Sequence, residues 1–128
     1  MKKSLIYMVF ILSASVANAQ TRYEEVANKF IIFYNEQTPD SLFNLYSPAL
    51  KEKLTLEKTR TVWEGLHVQY GDLKSLELLK QDTGFNRYKA GFAHQTLTLL
   101  LALSEDNLIE GYRLVPYDAD KFKDQKNR

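Results

Sequence analysis

Three groups of residues in this chain have side-chain types that could do chemistry. The first is the carboxylate of Glu110 in "NLIEGYRLVPY". Strand periodicity puts it on the same face as Leu108, Tyr112 and Leu114. An acid among apolar neighbours has a raised pKa, because burial penalises its charged form, and this brings it toward the range of a general acid or base. Glu110, Tyr112, Tyr88 and Trp63 thus form a candidate ligand pocket. In its catalytic version Glu110 is the acid or base and the tyrosines donate hydrogen bonds. In its plainer version Glu110 sits two residues inside the strand end, where it reaches water or pairs with a base on a helix. Catalysis normally needs two or three convergent groups, so no catalytic residue is assigned.

The second group is Glu64 and His67, one helical turn apart, a spacing known from di-metal carboxylate sites. Such a site needs a second carboxylate-x-x-His motif with its glutamates on facing helices, and with His67 and His94 as its two histidines this chain has no second motif. His67 therefore reads as a boundary histidine, His94 as an exposed turn residue, and no metal or cofactor is expected. The third group is Lys51, Lys53, Lys58 and Arg60. Glu52 and Glu57 are interleaved with it, so it reads as a solvated face rather than an anion site. Serine hydrolysis of the β-lactamase type needs a lysine three residues after the nucleophile. Ser41, Ser47, Ser75 and Ser104 all lack it. The chain has no cysteine, which removes thiol nucleophiles and thiolate metal sites.

The elements that must position these residues follow from periodicity. "TRYEEVANKFIIFYNEQ" opens with Thr21 and Glu24 as a capping box and repeats Tyr23, Val26, Ala27, Phe30 and Tyr34 at helical spacing. Pro39 opens a short second helix with Leu42, Leu45 and Tyr46 inward, and Ser47-Pro48 starts a further turn or two through Leu54. From Thr55 as cap to Gly71, a stripe of Leu56, Thr59, Trp63, Leu66 and Tyr70 marks the clearest helix. After Gly71 the pattern changes to hairpins. Asp82-Thr83-Gly84 fits a three-residue loop, His94-Gln95 a two-residue turn, and "SEDN" an even loop. The register that follows sets Leu76 and Leu78 beside Ala90 and Tyr88. It also pairs Phe92 with Leu97, Ala90 with Leu99, Leu103 with Leu108, Leu101 with Glu110 and Leu99 with Tyr112. The expected architecture is α+β, with three N-terminal helices packed on one face of a four-stranded antiparallel meander sheet.

"MKKSLIYMVFILSASVANAQ" has the parts of a signal peptide: two lysines, an apolar centre and Ala17-Asn18-Ala19 before Gln20. Its apolar run falls short of the ~20 residues a membrane span needs. The reading is residues 1–19 as signal peptide, 20–117 as one α+β domain and 118–128 as a flexible tail, in a periplasmic or secreted protein with no membrane anchor after cleavage. Without Lys2 and Lys3, fifteen basic residues face sixteen acidic ones. That balance gives no footprint for nucleic acid.

"FIIFYNEQTPDSLFNLYSPALKEKLTLEKT", "YKAGF" and "LTLLLALSEDNLIEGYRLVPY" together resemble a domain of unknown function found in exported bacterial proteins ahead of β-lactamase-type serine hydrolases. The resemblance covers Tyr23 to Tyr117 and implies a nuclear transport factor 2-like, cone-shaped α+β fold. His94-Gln95 departs from the glycine turn the family pattern implies. The given sequence ends soon after Pro116-Tyr117, so any hydrolase partner is expected to be separately encoded. The functional expectation is an exported, non-catalytic binding or accessory domain for a small ligand, peptide or envelope protein. The resemblance also implies two alternatives, a small lyase or isomerase with Glu110 as acid or base in a pocket between helices and sheet, and an accessory subunit of a separately encoded serine hydrolase. The half-apolar outer face of the sheet leaves a homodimer open.

Overall fold

A computed structural model describes residues 21–118. The signal peptide read at 1–19 and the tail from 119 onward lie outside the described residues. Among those described, four helices precede four strands, one helix more than expected, because the short stretch before Thr55 is divided by Ser47-Pro48. The first, α1, occupies residues 21–36. Thr21 is itself helical rather than the cap ahead of a first turn. The helix ends with Gln37 in a left-handed conformation, φ 55°. Thr38 N–H donates to Phe33 O and Gln37 N–H to Tyr34 O, the paired bonds of a Schellman motif.

The next two helices, α2 (Pro39–Phe43) and α3 (Pro48–Lys53), each carry proline at the first position, and Ser47 Oγ caps α3 by accepting from Leu50 N–H. The long helix α4 (Leu56–Tyr70) is capped by Thr55, whose hydroxyl accepts from Lys58 N–H, and stops at Gly71 with φ 78°. It buries Thr59 and Trp63, as the stripe requires.

The strands β1 (Leu73–Asp82), β2 (Phe85–Phe92), β3 (Thr96–Leu103) and β4 (Ile109–Pro116) form an antiparallel meander in the order β1-β2-β3-β4. Their inner faces bury Tyr88, Ala90, Phe92, Leu97, Leu99 and Leu101. Helices and sheet are joined by backbone as well as side chains. The segment between α2 and α3 lies along the start of β4, where Ile109 N–H donates to Leu45 O and Ser47 N–H to Ile109 O. At the other end, Asn35 on α1 accepts from Leu73 N–H at 2.7 Å and donates to Leu73 O at 2.9 Å. Asn35 thereby acts as a short substitute strand for the beginning of β1.

The register differs from expectation in three places, each with a physical cause. Asp82 pairs with Phe85, so the first turn has two residues, Thr83 and Gly84. An irregularity between Leu78 and Lys80 restores the expected pairing of Leu76 with Ala90 and Leu78 with Tyr88. The second turn is Ala93-His94, one position early, so Ala90 pairs with Leu97 and Tyr88 with Leu99. That two-residue displacement preserves which side chains face inward.

The third difference changes a face. Ser104 N–H donates to Leu108 O, closing a three-residue loop in which Asn107 is left-handed at φ 66°. Leu103 then pairs with Ile109 and Ala102 with Gly111, leaving Glu110 as the extra residue of a β-bulge. Leu101 consequently faces Tyr112, and Leu99 faces Leu114.

At Gly71 a close neighbour and a left-handed backbone coincide. A Cβ there would lie 2.9 Å from the Ala93 Cβ, on a backbone already at positive φ. Gly71→Ala is expected to destabilise the protein by more than about 1 kcal/mol, measured as a fall in the urea midpoint at unchanged slope.

Candidate functional site

The four residues of the expected pocket do not converge. The bulge turns the Glu110 carboxylate to solvent, and Ile109, 0% exposed, takes the inward place. An acid or base at Glu110 between helices and sheet is therefore not formed. Trp63 and Tyr112 do come together, but as packed core. Trp63 is 1% exposed, and Phe30 meets both the Trp63 and Tyr112 rings edge-on, at 5.4 and 5.3 Å. Tyr34 adds a second edge-on contact to Trp63.

A chain of hydroxyls runs through this core. Tyr46 Oη lies 2.7 Å from Tyr112 Oη and 3.0 Å from Thr59 Oγ1. Burial raises the pKa of Tyr112, reinforced by its neighbour Tyr46. Burial also raises that of Tyr46, against the hydrogen bonds to Thr59 and Tyr112. Both phenols are thus held neutral, as hydrogen-bonding struts. The Trp63 indole N–H points toward this group without a bond of acceptable geometry.

Tyr88 belongs to a different place. A cleft of about 410 Å³ opens between α1 and the inner faces of β1 and β2. The helix contributes Tyr23, Glu24, Ala27, Asn28 and Ile31, and the strands Leu76, Leu78, Gln81, Asn86 and Tyr88. Its volume lies within the range of small-molecule sites, roughly 300–1,000 Å³. Helical spacing brings Tyr23, Ala27 and Ile31 to one side of α1, and strand alternation brings Asn86 and Tyr88 to one side of β2.

At the cleft floor, Asn86 and Tyr88 are each 5% exposed. Asn86 Nδ2 donates to Tyr88 Oη at 3.2 Å, so within the pair the amide donates and the phenol accepts. Burial raises the Tyr88 pKa; the Asn86 bond opposes this, and Tyr23 and Glu24 add to it. Tyr23 is fixed from behind, its hydroxyl accepting from Leu103 N–H at 3.4 Å. Sequence reasoning found Tyr88 but missed Asn86. The signal was present, since an amide alternating with Tyr88, Ala90 and Phe92 must face inward.

The remaining groups stay apart. His67 Nε2 lies 2.7 Å from Asp72 Oδ1 at the end of α4, while Glu64 is exposed. Among the described residues no three metal-ligating side chains come together. In the basic group, Arg60 reaches Asp40 at 3.3 Å and Lys51 lies over the Phe43 ring. Lys53 and Lys58 are exposed. On the outer face of the sheet, Arg87 bonds Asp82, whose carboxyl it holds below the usual range, and stacks on Phe85. Among the described residues no helix is long and apolar enough to cross a membrane.

Residues 27–112, more than half of the chain, match a family defined by its conserved domain rather than by any activity. The chain belongs to that family, described as "Protein of unknown function (DUF3887)". No curated protein and no solved structure matches it.

Two outcomes follow from the core. Tyr46→Phe removes the middle of the hydroxyl chain and strands both ends, so urea unfolding should show a loss of about 1–3 kcal/mol, whereas Tyr112→Phe should cost less because Tyr46 keeps Thr59. The second concerns alkaline pH. The Tyr34 hydroxyl donates to Gly71 O, and burial, then the Asp72 charge, pushes its pKa from 10.0 up to about 12. A raised phenol pKa stabilises the fold fully below the unfolded value and is lost as pH rises through the folded one. The melting temperature should therefore decline between pH 10 and about 12, and Tyr34→Phe should flatten part of that decline.

Proposed function

We propose that this protein is an exported, non-catalytic binding domain that holds a small ligand in the cleft between α1 and strands β1 and β2. One observation carries the reading. Asn86 and Tyr88, each 5% exposed, line the floor of an open cleft of about 410 Å³ and are joined there by one hydrogen bond, from the Asn86 amide to the Tyr88 hydroxyl. An amide carries a further donor and an acceptor, and a phenol a proton to donate, so this floor offers polar groups to a ligand that enters. Glu24 is the one carboxylate among the described residues that line the cleft, and it is exposed, so binding is the reading we favour over catalysis.

Export rests on the amino-terminal signal pattern, and we place the protein in the periplasm or outside the cell. Four antiparallel strands in meander order with helices on the inner face support a nuclear transport factor 2-like cone, in which a cleft between helix and sheet is a natural site. Service as a partner of a separately encoded β-lactamase-type hydrolase, or of an envelope protein or second copy, rests on resemblance and on the outer face. The cleft has a direct structural argument behind it.

A fragment screen by NMR on isotope-labelled protein tests this. Hits are expected to shift the signals of Asn28, Asn86 and Tyr88, and Leu76→Trp, which fills the cleft, should abolish those shifts while leaving the protein folded. Hits confined to the outer sheet face, around Leu100 and Arg113, would replace the cleft with a surface for macromolecules.

A further inference from the structure

The chemistry of the same cleft, resting on the reading above, points to one class of ligand: a small, uncharged, polyhydroxylated molecule such as a sugar ring. The first argument is polar density. Six polar side chains, Tyr23, Glu24, Asn28, Gln81, Asn86 and Tyr88, surround about 410 Å³. A mainly apolar ligand would strip water from the deepest of them, Asn86 and Tyr88, without replacing its bonds.

The second argument is charge. Among the described residues no lysine, arginine or histidine lines the cleft, and its one carboxylate is Glu24. A carboxylate or phosphate would enter without a counter-ion and face that negative charge, so anions are selected against. A cation would gain only from Glu24, which is exposed on α1, and an exposed pair contributes little.

The third argument is the donor and acceptor pattern. Five of the six side chains, three carboxamides and two phenols, both donate and accept hydrogen bonds. Within the deepest pair Asn86 donates and Tyr88 accepts, and the carboxamide oxygen and phenol proton of the two are an acceptor and a donor of the kind a hydroxyl can meet. A ligand hydroxyl also donates and accepts, so neighbouring hydroxyls on one ring can satisfy such a set in a compact volume. Ala27, Ile31 and Leu76 supply an apolar wall for the C–H face of the ring.

The test is an NMR titration with glucose, glucosamine, glucuronate and N-acetylglycinamide. The sugars share a ring and differ in charge; the last is a neutral amide without hydroxyls. Glucose is expected to shift the Asn28, Gln81 and Asn86 side-chain amides. Glucosamine should bind within about three-fold of it, and glucuronate at least about ten-fold more weakly. Tyr88→Phe should weaken glucose about ten-fold, and Gln81→Ala, an exposed change with little risk to folding, should weaken it by a smaller factor. Equal or tighter binding of glucuronate, a strong preference for glucosamine, or tighter binding of the amide would each overturn the polyol assignment. If the sugars leave the cleft untouched while other fragments occupy it, the ligand class is wrong and the binding reading stands. If nothing occupies the cleft, both fall.

Discussion

The fold depends on keeping one indole dry. Trp63 comes from the middle of α4, and two rings from α1, Phe30 and Tyr34, meet it edge-on at 5.4 Å. Edge-to-face contacts have a preferred geometry as well as a large buried area, so the three rings fix the position of α1 over the sheet. Tyr34 then reaches Phe92 on β2, and Phe30 reaches Tyr112 on β4. On α1 the rings of Phe30 and Tyr34 share a buried stripe with Val26. The neighbouring stripe of Tyr23, Ala27 and Ile31 has its smallest member, Ala27, at the middle, and it lines the cleft toward β1 and β2. A filled core and a cleft thus lie side by side along one helix, two results of the same residue order.

Polar groups divide along the same line. In the filled half, Tyr46, Tyr112 and Thr59 satisfy one another, and Asn35 satisfies the backbone of Leu73. Trp63 Nε1 remains unpaired there, a penalty that ring packing offsets. In the open half, Asn86 donates to Tyr88 and the pair lines the cleft. Polar groups beside open space are what separate a site from a core.

Much of this was legible in the residues. Thr55 and Gly71 bracket α4, the Trp63 stripe faces the sheet, and the inward sets of β2 and β3 survive a misplaced turn because the displacement was two residues. The errors share a cause. A β-bulge adds one residue with no compositional mark, so neither the irregularity near Leu79 nor the one at Glu110 could be read from alternation. The second reversed the face of the very residue on which the enzyme reading rested. Gln37 illustrates the same limit, since glycine would have announced its left-handed conformation and glutamine does not. For the cleft, Tyr88 was placed inward but its neighbour Asn86 was passed over, because polar residues in strands are usually assigned to solvent.

The irregularities have a further consequence at the two outer margins of the sheet. A regular edge strand presents a row of free backbone groups on which another chain can add. Here β1 is broken by two bulges and occupied at Leu73 by Asn35, while β4 is covered at Ile109 by the segment joining α2 to α3 and kinked at Glu110. Neither margin offers an unbroken template for strand addition. Glu110, as the extra residue of the β4 bulge, is one of the features that interrupt that edge.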